Sequence, residues 1–425
     1  MIYISNVKKI FSKNKVRLTA DLSISVSAAK KWYEASQNPM KYKDASFIVT
    51  DYLEHISDIQ QIWFETDIKY EKGVSSNRGD AFIAAMLFYA MITEEDIICE
   101  APVSSKLLFH LNDYLLPLLS FQSNTRRISI QAPTICKGKS DVVSKAVGTG
   151  MSCGIDSMAS LYEYSQENVP EEYRLTHLTF FNVGADKGYV PTSKKWDDLS
   201  KILEPFHKTM DEKRKKAEKI ANELSLGFIF VDSNQTLIYQ GLFEESHLYR
   251  SMSAVLFLQD LFSVYYLSST GCTLDDFQPK IRIDPGHYEV GMVPYFSTEN
   301  LQFECGSKAY NRVEKMRMIK DDQITQKYLN VCSNVTPCYH CTKDFRMIII
   351  FDILNCEEQF KHIYSIERNH QVRWKAYNWL LKTYKYDNSA KVLWNYVKNQ
   401  NIKIPLRSYI KYYIWLVLKI LKLRN

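Results

Sequence analysis

The stretch AVGTGMSCGIDSMASLYEY, residues 146–164, predicts the fold around which the rest of the chain is organised. A short β-prone run at 146–151 leads into the turn 152–157, and Met158 and Leu161 then follow with helical spacing. The amides of such a turn and of the first helical residues lack intrahelical acceptors and carry partial positive charge. A strand, a tight turn and a helix in this order therefore predict a backbone that can bind an anion.

The side chains of the turn also suit a phosphate group. The turn consists of Ser152, Cys153, Gly154, Ile155, Asp156 and Ser157. Its two serines offer hydroxyl donors, and Asp156 can hold a Mg²⁺ ion between its carboxylate and pyrophosphate oxygens. The alternative is an ordinary helix cap in which Asp156 or Ser157 is the N-cap residue.

This hexapeptide resembles the SGGxDS pyrophosphate loop of the PP-loop ATP pyrophosphatase superfamily. Segments further along the chain look most like the branch that contains 7-cyano-7-deazaguanine synthase. Cys153 stands where the pattern has glycine, and its Cβ costs about 1 kcal/mol or more if φ is positive there. The resemblance implies that ATP binds with its β- and γ-phosphates on the six residues of the turn, with Mg²⁺ near Asp156.

The composition is that of an ordinary globular protein, with 425 residues, 46% of them hydrophobic and 24% charged, enough for two or three domains. The excess of 54 basic over 48 acidic residues is too small to argue for nucleic acid. Nine cysteines, three of them within 332–341, argue for a reduced compartment with a metal site rather than for disulfides. The first residues lack an apolar core of signal-peptide length, so we expect a cytoplasmic protein.

Three strand–helix units in succession predict an α/β fold with a doubly wound parallel sheet, and the resemblance implies that the sheet is of the PP-loop, HUP-like type. The expected strands are 146–151, 178–183 and 227–231, and ligands of such sheets bind outside the carboxyl ends of the strands. Four polar or small residues fall at these ends and are the expected nucleotide contacts. They are Asn182, Gly184, Asp232 and Asn234.

A polar break at 137–140 is the expected domain boundary. It separates an α+β domain of unknown role, residues 1–140, from the nucleotide domain, 141–355, and a helical region follows at 356–425. Asp80 begins the first long helix of the N-terminal domain, where it can be a helix cap or a site residue.

Arg312 and Lys315 lie three residues apart, so they face one side of a predicted helix. The segment resembles the end of the PP-loop domain in the branch named above, where a basic residue approaches the phosphates. The resemblance implies catalytic roles for this pair together with Asp156 and Ser157. The alternative is a solvated basic helix face.

The pattern Cys332-x5-Cys338-x2-Cys341-x2-Asp344 predicts a metal site, because a C-x-x-C turn can direct two thiolates at one tetrahedral centre. Sulfur ligands favour zinc or an iron–sulfur cluster over magnesium. The resemblance implies a structural zinc site in which Asp344 takes the place of a fourth cysteine, with His340 as a less well spaced substitute. The alternatives are a site that has lost its metal and a redox role for Cys338 and Cys341.

Residues 406–425 predict a basic amphipathic helix with an apolar run too short to span a bilayer. Such a helix can lie in the headgroup region of an anionic membrane, at the inner face if the protein is cytoplasmic. Alternatively, it packs on its own core or on a second copy of the chain in a homodimer.

The resemblance implies an AMP-forming ligase of C–N bonds. ATP would adenylate a carboxylate or amide of a small-molecule acceptor, pyrophosphate would leave, and a nitrogen nucleophile would attack the activated carbon. The alternatives are a PP-loop enzyme that modifies tRNA and a non-catalytic nucleotide-binding or membrane-associated assembly protein. The expected cofactors are ATP, Mg²⁺ and Zn²⁺.

Overall fold

A computed structural model of the protein describes residues 1–25, 31, 61–135, 146–184, 199–239, 243–270, 273–274 and 285–421. The chain forms two compact units. The first comprises Met1–Gly150 and Tyr164–Gly306, and the second comprises Met151–Glu163 and Ser307–Asn425.

The strands of the described residues all belong to the first unit. They are β1 (Ile2–Ser12), β2 (Lys15–Ile24), β3 (Gln61–Asp67), β4 (Ile97–Cys99), β5 (Val103–Ser104), β6 (Ile130–Gln131), β7 (Thr134–Ile135), β8 (Ala146–Gly150), β9 (His177–Asn182), β10 (Gly227–Ser233), β11 (Phe262–Ser268) and β12 (Gln302–Gly306). Ten of them form one sheet in the order β12-β11-β8-β9-β10-β3-β2-β1-β4-β6, and β5 pairs with β7 in a small second sheet.

The helices are distributed over both units. They are α1 (Asp80–Thr93), α2 (Ser105–His110), α3 (Leu116–Ser123), α4 (Ile155–Tyr164), α5 (Leu199–Glu223), α6 (Gln235–Tyr239), α7 (Phe243–Leu256), α8 (Glu289–Met292), α9 (Arg312–Ile319), α10 (Gln323–Tyr328), α11 (Thr342–Leu354), α12 (Ile366–Thr383), α13 (Asn388–Asn399) and α14 (Leu406–Ile420). A π-helical turn, Leu111–Leu115, joins α2 to α3. Each described helix is too short or too polar to cross a lipid bilayer.

The five strands from β8 to β12 run parallel and carry the topology predicted for the nucleotide domain. Numbered from β8, their spatial order is 3-2-1-4-5, with the reversal at β8, which is the order of doubly wound α/β folds. A Cβ at Gly148 would lie 2.5 Å from the Phe262 ring, so glycine is required where β8 passes β11. The α/β class and the mostly parallel sheet are confirmed, while the PP-loop type of fold stays a prediction.

The N-terminal strands belong to the same sheet. Strand β3 pairs antiparallel with β10 through Glu65 and Asp232, and the hydroxyl of Thr66 donates to the carbonyl of Phe230 at 2.7 Å. The two compact units therefore differ from the predicted division at 140 and 355, because strand pairing continues past a break in composition. The predicted boundary at 137–140 lies outside the described residues.

The helix predicted to carry Arg312 and Lys315 is α9. It begins at Arg312, because Asn311 accepts hydrogen bonds from the first amides of α9 and completes a capping box with Glu314. Helix α7 ends at Leu256, and Phe262 begins β11.

Asp80 is a structural residue of the first unit. Its fully buried carboxylate accepts hydrogen bonds from the Ser104 amide at 2.8 Å, from Arg78 at 2.9 Å and from Gln259 at 3.1 Å. Gly79, not Asp80, occupies the N-cap position of α1. These partners satisfy both carboxylate oxygens. The hydrogen bonds therefore account for the buried Asp80 without a role in a functional site.

Candidate phosphate and metal sites

The turn 151–154 follows β8 and leads into α4. Cys153 adopts φ 62°, in the left-handed region, and its side chain is only 3% exposed. The carbonyl of Cys153 accepts a hydrogen bond from the amide of Asn330 at 2.7 Å, which fixes the orientation of this peptide. The position is thus one that favours glycine, and the Cβ of Cys153 costs about 1 kcal/mol.

The serine hydroxyls of the turn form a local network. Ser152 Oγ lies 3.2 Å from Ser157 Oγ and accepts the amide of Gly154 at 3.4 Å, and Ser157 Oγ donates to the carbonyl of Gly154 at 3.1 Å. The first helical hydrogen bond runs from the amide of Met158 to that carbonyl. The amides of Ile155, Asp156 and Ser157 precede it, so they have no acceptor within the helix.

Two cations of α9 contact Asp156. Arg312 donates to Asp156 Oδ2 from Nη2 at 3.1 Å and from Nε at 3.2 Å, and Lys315 Nζ lies 3.1 Å from Oδ1. The Lys315 side chain is fully buried, while those of Asp156 and Arg312 are 21% and 28% exposed. We call these three residues the charge triad.

The charge triad sets the protonation of Asp156. Burial alone would raise the pKa of the carboxyl, but the charges and hydrogen bonds of Arg312 and Lys315 outweigh burial and hold the pKa below its usual value. The sequence predicted that the two cations face one side of α9, and the structure places both on one carboxylate. The two cations and the amides of the first helical residues can bind a phosphate group in place of the Asp156 carboxylate. Alternatively, the carboxylate can bind a metal ion.

The predicted contacts at the strand ends belong to the first unit. Asn182 donates to Asp232 Oδ1 at 2.9 Å, because β9 and β10 are paired in register at these two residues. Gly184 has φ 89°, a conformation that favours glycine. Asn234 accepts the amide of Trp63 at 2.9 Å and donates to the carbonyl of Gln61, so its side chain binds the backbone of β3.

The cysteine cluster brings together the four residues that the sequence pattern predicted. The sulfur atoms of Cys332, Cys338 and Cys341 and a carboxylate oxygen of Asp344 all lie within 4.8 Å of one another. The Cys332 and Cys341 sulfurs are 3.9 Å apart, and two sulfurs bound to one tetrahedral zinc at about 2.3 Å would be about 3.8 Å apart. The donor set therefore fits a zinc ion. His340 is exposed and its ring faces the carbonyl of Cys338.

Asp344 is fully buried and oriented by three donors. Its Oδ2 accepts the amides of Cys338 and Tyr339, each at 2.8 Å, and its Oδ1 accepts the hydroxyl of Tyr364 at 3.3 Å. An ionised carboxylate offers about four acceptor positions, so one remains for a metal ion. Asp344 thus combines two tasks, since it holds the C-x-x-C turn and can complete a Cys3Asp site.

The surroundings of Cys332 and Cys341 disfavour the thiolate form of both side chains. Burial, with a contribution from the Asp344 carboxylate, raises the pKa of Cys341 to about 12, and burial also raises the pKa of Cys332. Reactive redox cysteines have lowered pKa values, so the raised pKa of Cys341 disfavours a redox role for this residue. A bound divalent ion would supply the positive charge that thiolates require here.

Sequence reasoning missed Asn330 and Tyr364. Asn330 is buried, its amide binds Cys153, and its side-chain Nδ2 donates to the carbonyls of Asn334 and Val335. It thereby connects the turn 151–154 to the segment that carries Cys332. Neither residue belongs to a recognisable sequence motif.

Comparisons of the chain with models of protein families, with curated proteins and with solved structures found no match. The PP-loop resemblance therefore depends on the residues of the turn, the basic pair and the cysteine cluster.

Proposed function

We propose that the protein is an ATP-dependent, AMP-forming ligase that activates a small-molecule carboxylate or amide for attack by a nitrogen nucleophile. The observation that carries this proposal is the convergence of Arg312 and Lys315 on Asp156 at the first turn of α4. Fixed cations and helical amides at one point are what a polyphosphate leaving group requires.

The chain's own residues would bind the phosphates, and the two substrates would then react in turn. The amides of 155–157 and the side chains of Arg312 and Lys315 would bind the β- and γ-phosphates, and Ser157 would add a hydroxyl donor. An oxygen of the acceptor would attack the α-phosphorus of ATP. The bond between the α-phosphorus and the pyrophosphate leaving group would then break. The nitrogen nucleophile would then attack the adenylated carbon, release AMP and lose a proton to solvent.

Asp156 would hold a Mg²⁺ ion, which would neutralise charge developing on the pyrophosphate. The carboxylate already carries a lowered pKa, so it is ionised and able to bind a cation at neutral pH. Stabilisation of the leaving group by preorganised donors lowers the barrier because these groups need no rearrangement during the reaction.

We propose in addition that Cys332, Cys338, Cys341 and Asp344 hold a structural zinc ion. The ligand atoms within 4.8 Å of one another support this assignment. The tight placement of these residues beside α11 is consistent with a role in folding, since metal binding is coupled to folding in small cysteine sites.

A specific observation favours a second candidate, a nucleotide-binding protein without catalysis. Arg312 and Lys315 donate to both oxygens of the Asp156 carboxylate, and Cys153 occupies a position that favours glycine. Such a triad can also serve only to attach α9 to the start of α4.

Product analysis separates the candidates. The full-length protein is incubated with MgATP and a panel of carboxylate acceptors with ammonia, and ³¹P NMR identifies the products. We expect AMP and pyrophosphate as products of the wild-type protein and of Asp321→Ala, and neither product with Asp156→Ala. Asp321→Ala is the control because it removes an exposed carboxylate of the same unit. ADP and phosphate would contradict the proposal. ATP binding without turnover across the panel would favour the second candidate.

A further inference from the structure

The last helix of the described chain, α14, leaves an aliphatic face uncovered. Within an arc of about 120° it presents seven large apolar residues, each 48% to 73% exposed. They are Leu406, Ile410, Tyr413, Ile414, Val417, Ile420 and Leu421. We call this surface the α14 face.

The opposite side of α14 is attached to its own unit. Ser408 is fully buried, its hydroxyl donates to the carbonyl of Trp374 at 2.9 Å, and its carbonyl accepts from Asn378 at 3.0 Å. Arg407 stacks 4.1 Å above the Trp374 ring. These contacts fix the rotation of the helix about its axis, so the outward direction of the α14 face is a property of the fold. The expectation that this helix packs on its own unit is correct for one side only.

The charge around this surface is strongly one-sided. Residues 361–425 hold 14 Lys and Arg but only 2 Asp and Glu, so residues 1–360 hold 40 against 46. The net charge of +6 for the whole chain therefore comes from the C-terminal region alone. Between 403 and 425 there are six basic residues and no acidic one.

From the α14 face and this basic charge, we propose that the protein binds the surface of a membrane rich in anionic lipids, with α14 lying in the headgroup region. An exposed aliphatic stripe in a region of strong positive charge matches both the acyl boundary and the anionic headgroups of such a surface. This proposal is independent of the ligase proposal, because it uses none of the residues of the charge triad.

The charge of the region and the residue types of the α14 face argue against two other occupants of the surface. Two copies pairing through the α14 face about a twofold axis would bring one strongly basic region against another. Nucleic acid would satisfy the charge, but bases stack on aromatic rings, whereas six of the seven residues of the α14 face are aliphatic.

The test is sedimentation of the full-length protein with vesicles. Phosphatidylcholine vesicles that contain 30% phosphatidylglycerol are the probe, and pure phosphatidylcholine vesicles are the comparison. We expect binding to the first kind, at least tenfold weaker binding to the second, and loss of binding as salt is raised. The double variant Ile414→Glu, Val417→Glu should lose at least tenfold in partitioning, while Ile10→Glu, on an exposed position of β1, should partition as wild type.

A second variant separates charge from the apolar stripe. Lys403→Gln with Lys411→Gln changes two exposed side chains and should weaken binding by about fivefold for each charge removed. Equal partitioning of wild type and the double Glu variant would overturn the proposal. The absence of vesicle binding would also overturn it. In that case, a dimer that the double Glu variant dissociates would assign the α14 face to a second copy, and tRNA binding that the double Gln variant weakens would assign it to nucleic acid.

Discussion

Substitution of Asp156 by asparagine removes the one anion of the charge triad and keeps the shape of the side chain. Lys315 is fully buried and loses its ion pair with residue 156. Removing one partner of a buried ion pair costs 3–5 kcal/mol as an order of magnitude, and the 21% exposure of Asp156 places this case at the lower end. We expect a loss of about 3 kcal/mol in the free energy of unfolding, or a fall in Tm of about 3 °C if all 425 residues unfold together.

The loss should depend on pH in a defined direction. The folded-state pKa of Asp156 is lower than its unfolded value, so the ionised carboxylate stabilises the fold. This contribution is complete above the unfolded pKa and disappears as the pH falls through the lower, folded value. Wild type and Asp156→Asn should therefore differ fully at pH 7 and converge as the pH falls below about 4.

Pyrophosphate should restore much of the loss if the triad is a phosphate site. In Asp156→Asn the two cations no longer pair with a carboxylate at residue 156 and can bind the anion, and a ligand at 100 times its Kd stabilises a fold by about 2.7 kcal/mol. Thermal melts in EDTA, with and without pyrophosphate, measure this recovery of stability. As a control, Asp321→Asn changes an exposed carboxylate, and its free energy of unfolding should lie within about 0.5 kcal/mol of that of wild type. An Asp156→Asn protein as stable as wild type, or unaffected by pyrophosphate, would refute the reasoning.

Three further predictions concern the cysteines and their neighbours. Cys341→Ser should lower zinc from about one ion per chain to below a tenth in elemental analysis, whereas Cys356→Ser, a buried thiol outside the cluster, should keep the metal. Tyr364→Phe removes the hydroxyl that donates to Asp344, and urea denaturation should show a loss of about 1 kcal/mol; an unchanged midpoint would contradict that bond. At Cys153, φ 62° makes glycine about 1 kcal/mol more stable than alanine, so the Gly variant should unfold at a higher urea concentration than the Ala variant.

The elements nearest to the opening stretch follow from local signals. The β-prone run predicted both ends of β8 within one residue, and the helical spacing predicted α4, which begins at Ile155, three residues before Met158. The apolar runs of β9 and β10 were equally clear, because strands buried on both faces are apolar throughout. The cysteine cluster was predicted with all four members, because its spacing is local to one turn and one helix start.

The parts that sequence reasoning missed depend on contacts between distant residues. Strand β12 is short and half-polar, and it becomes a strand by pairing with β11. The pairing of β3 with β10 joins residues more than 160 positions apart, which no local pattern reports. The same holds for the charge triad, since the spacing of Arg312 and Lys315 predicts a shared face but not the residue that the face meets.

Hydrogen exchange of the backbone amides tests the central claim most directly, because it reports on the turn itself and requires no acceptor substrate. We expect MgATP to slow exchange about tenfold in peptides that cover residues 152–158, with a smaller effect at the start of α9 and none in an Asp156→Ala, Lys315→Met protein. Protection by MgATP elsewhere in the chain, with peptides 152–158 unchanged, would contradict the assignment of these amides to the phosphates.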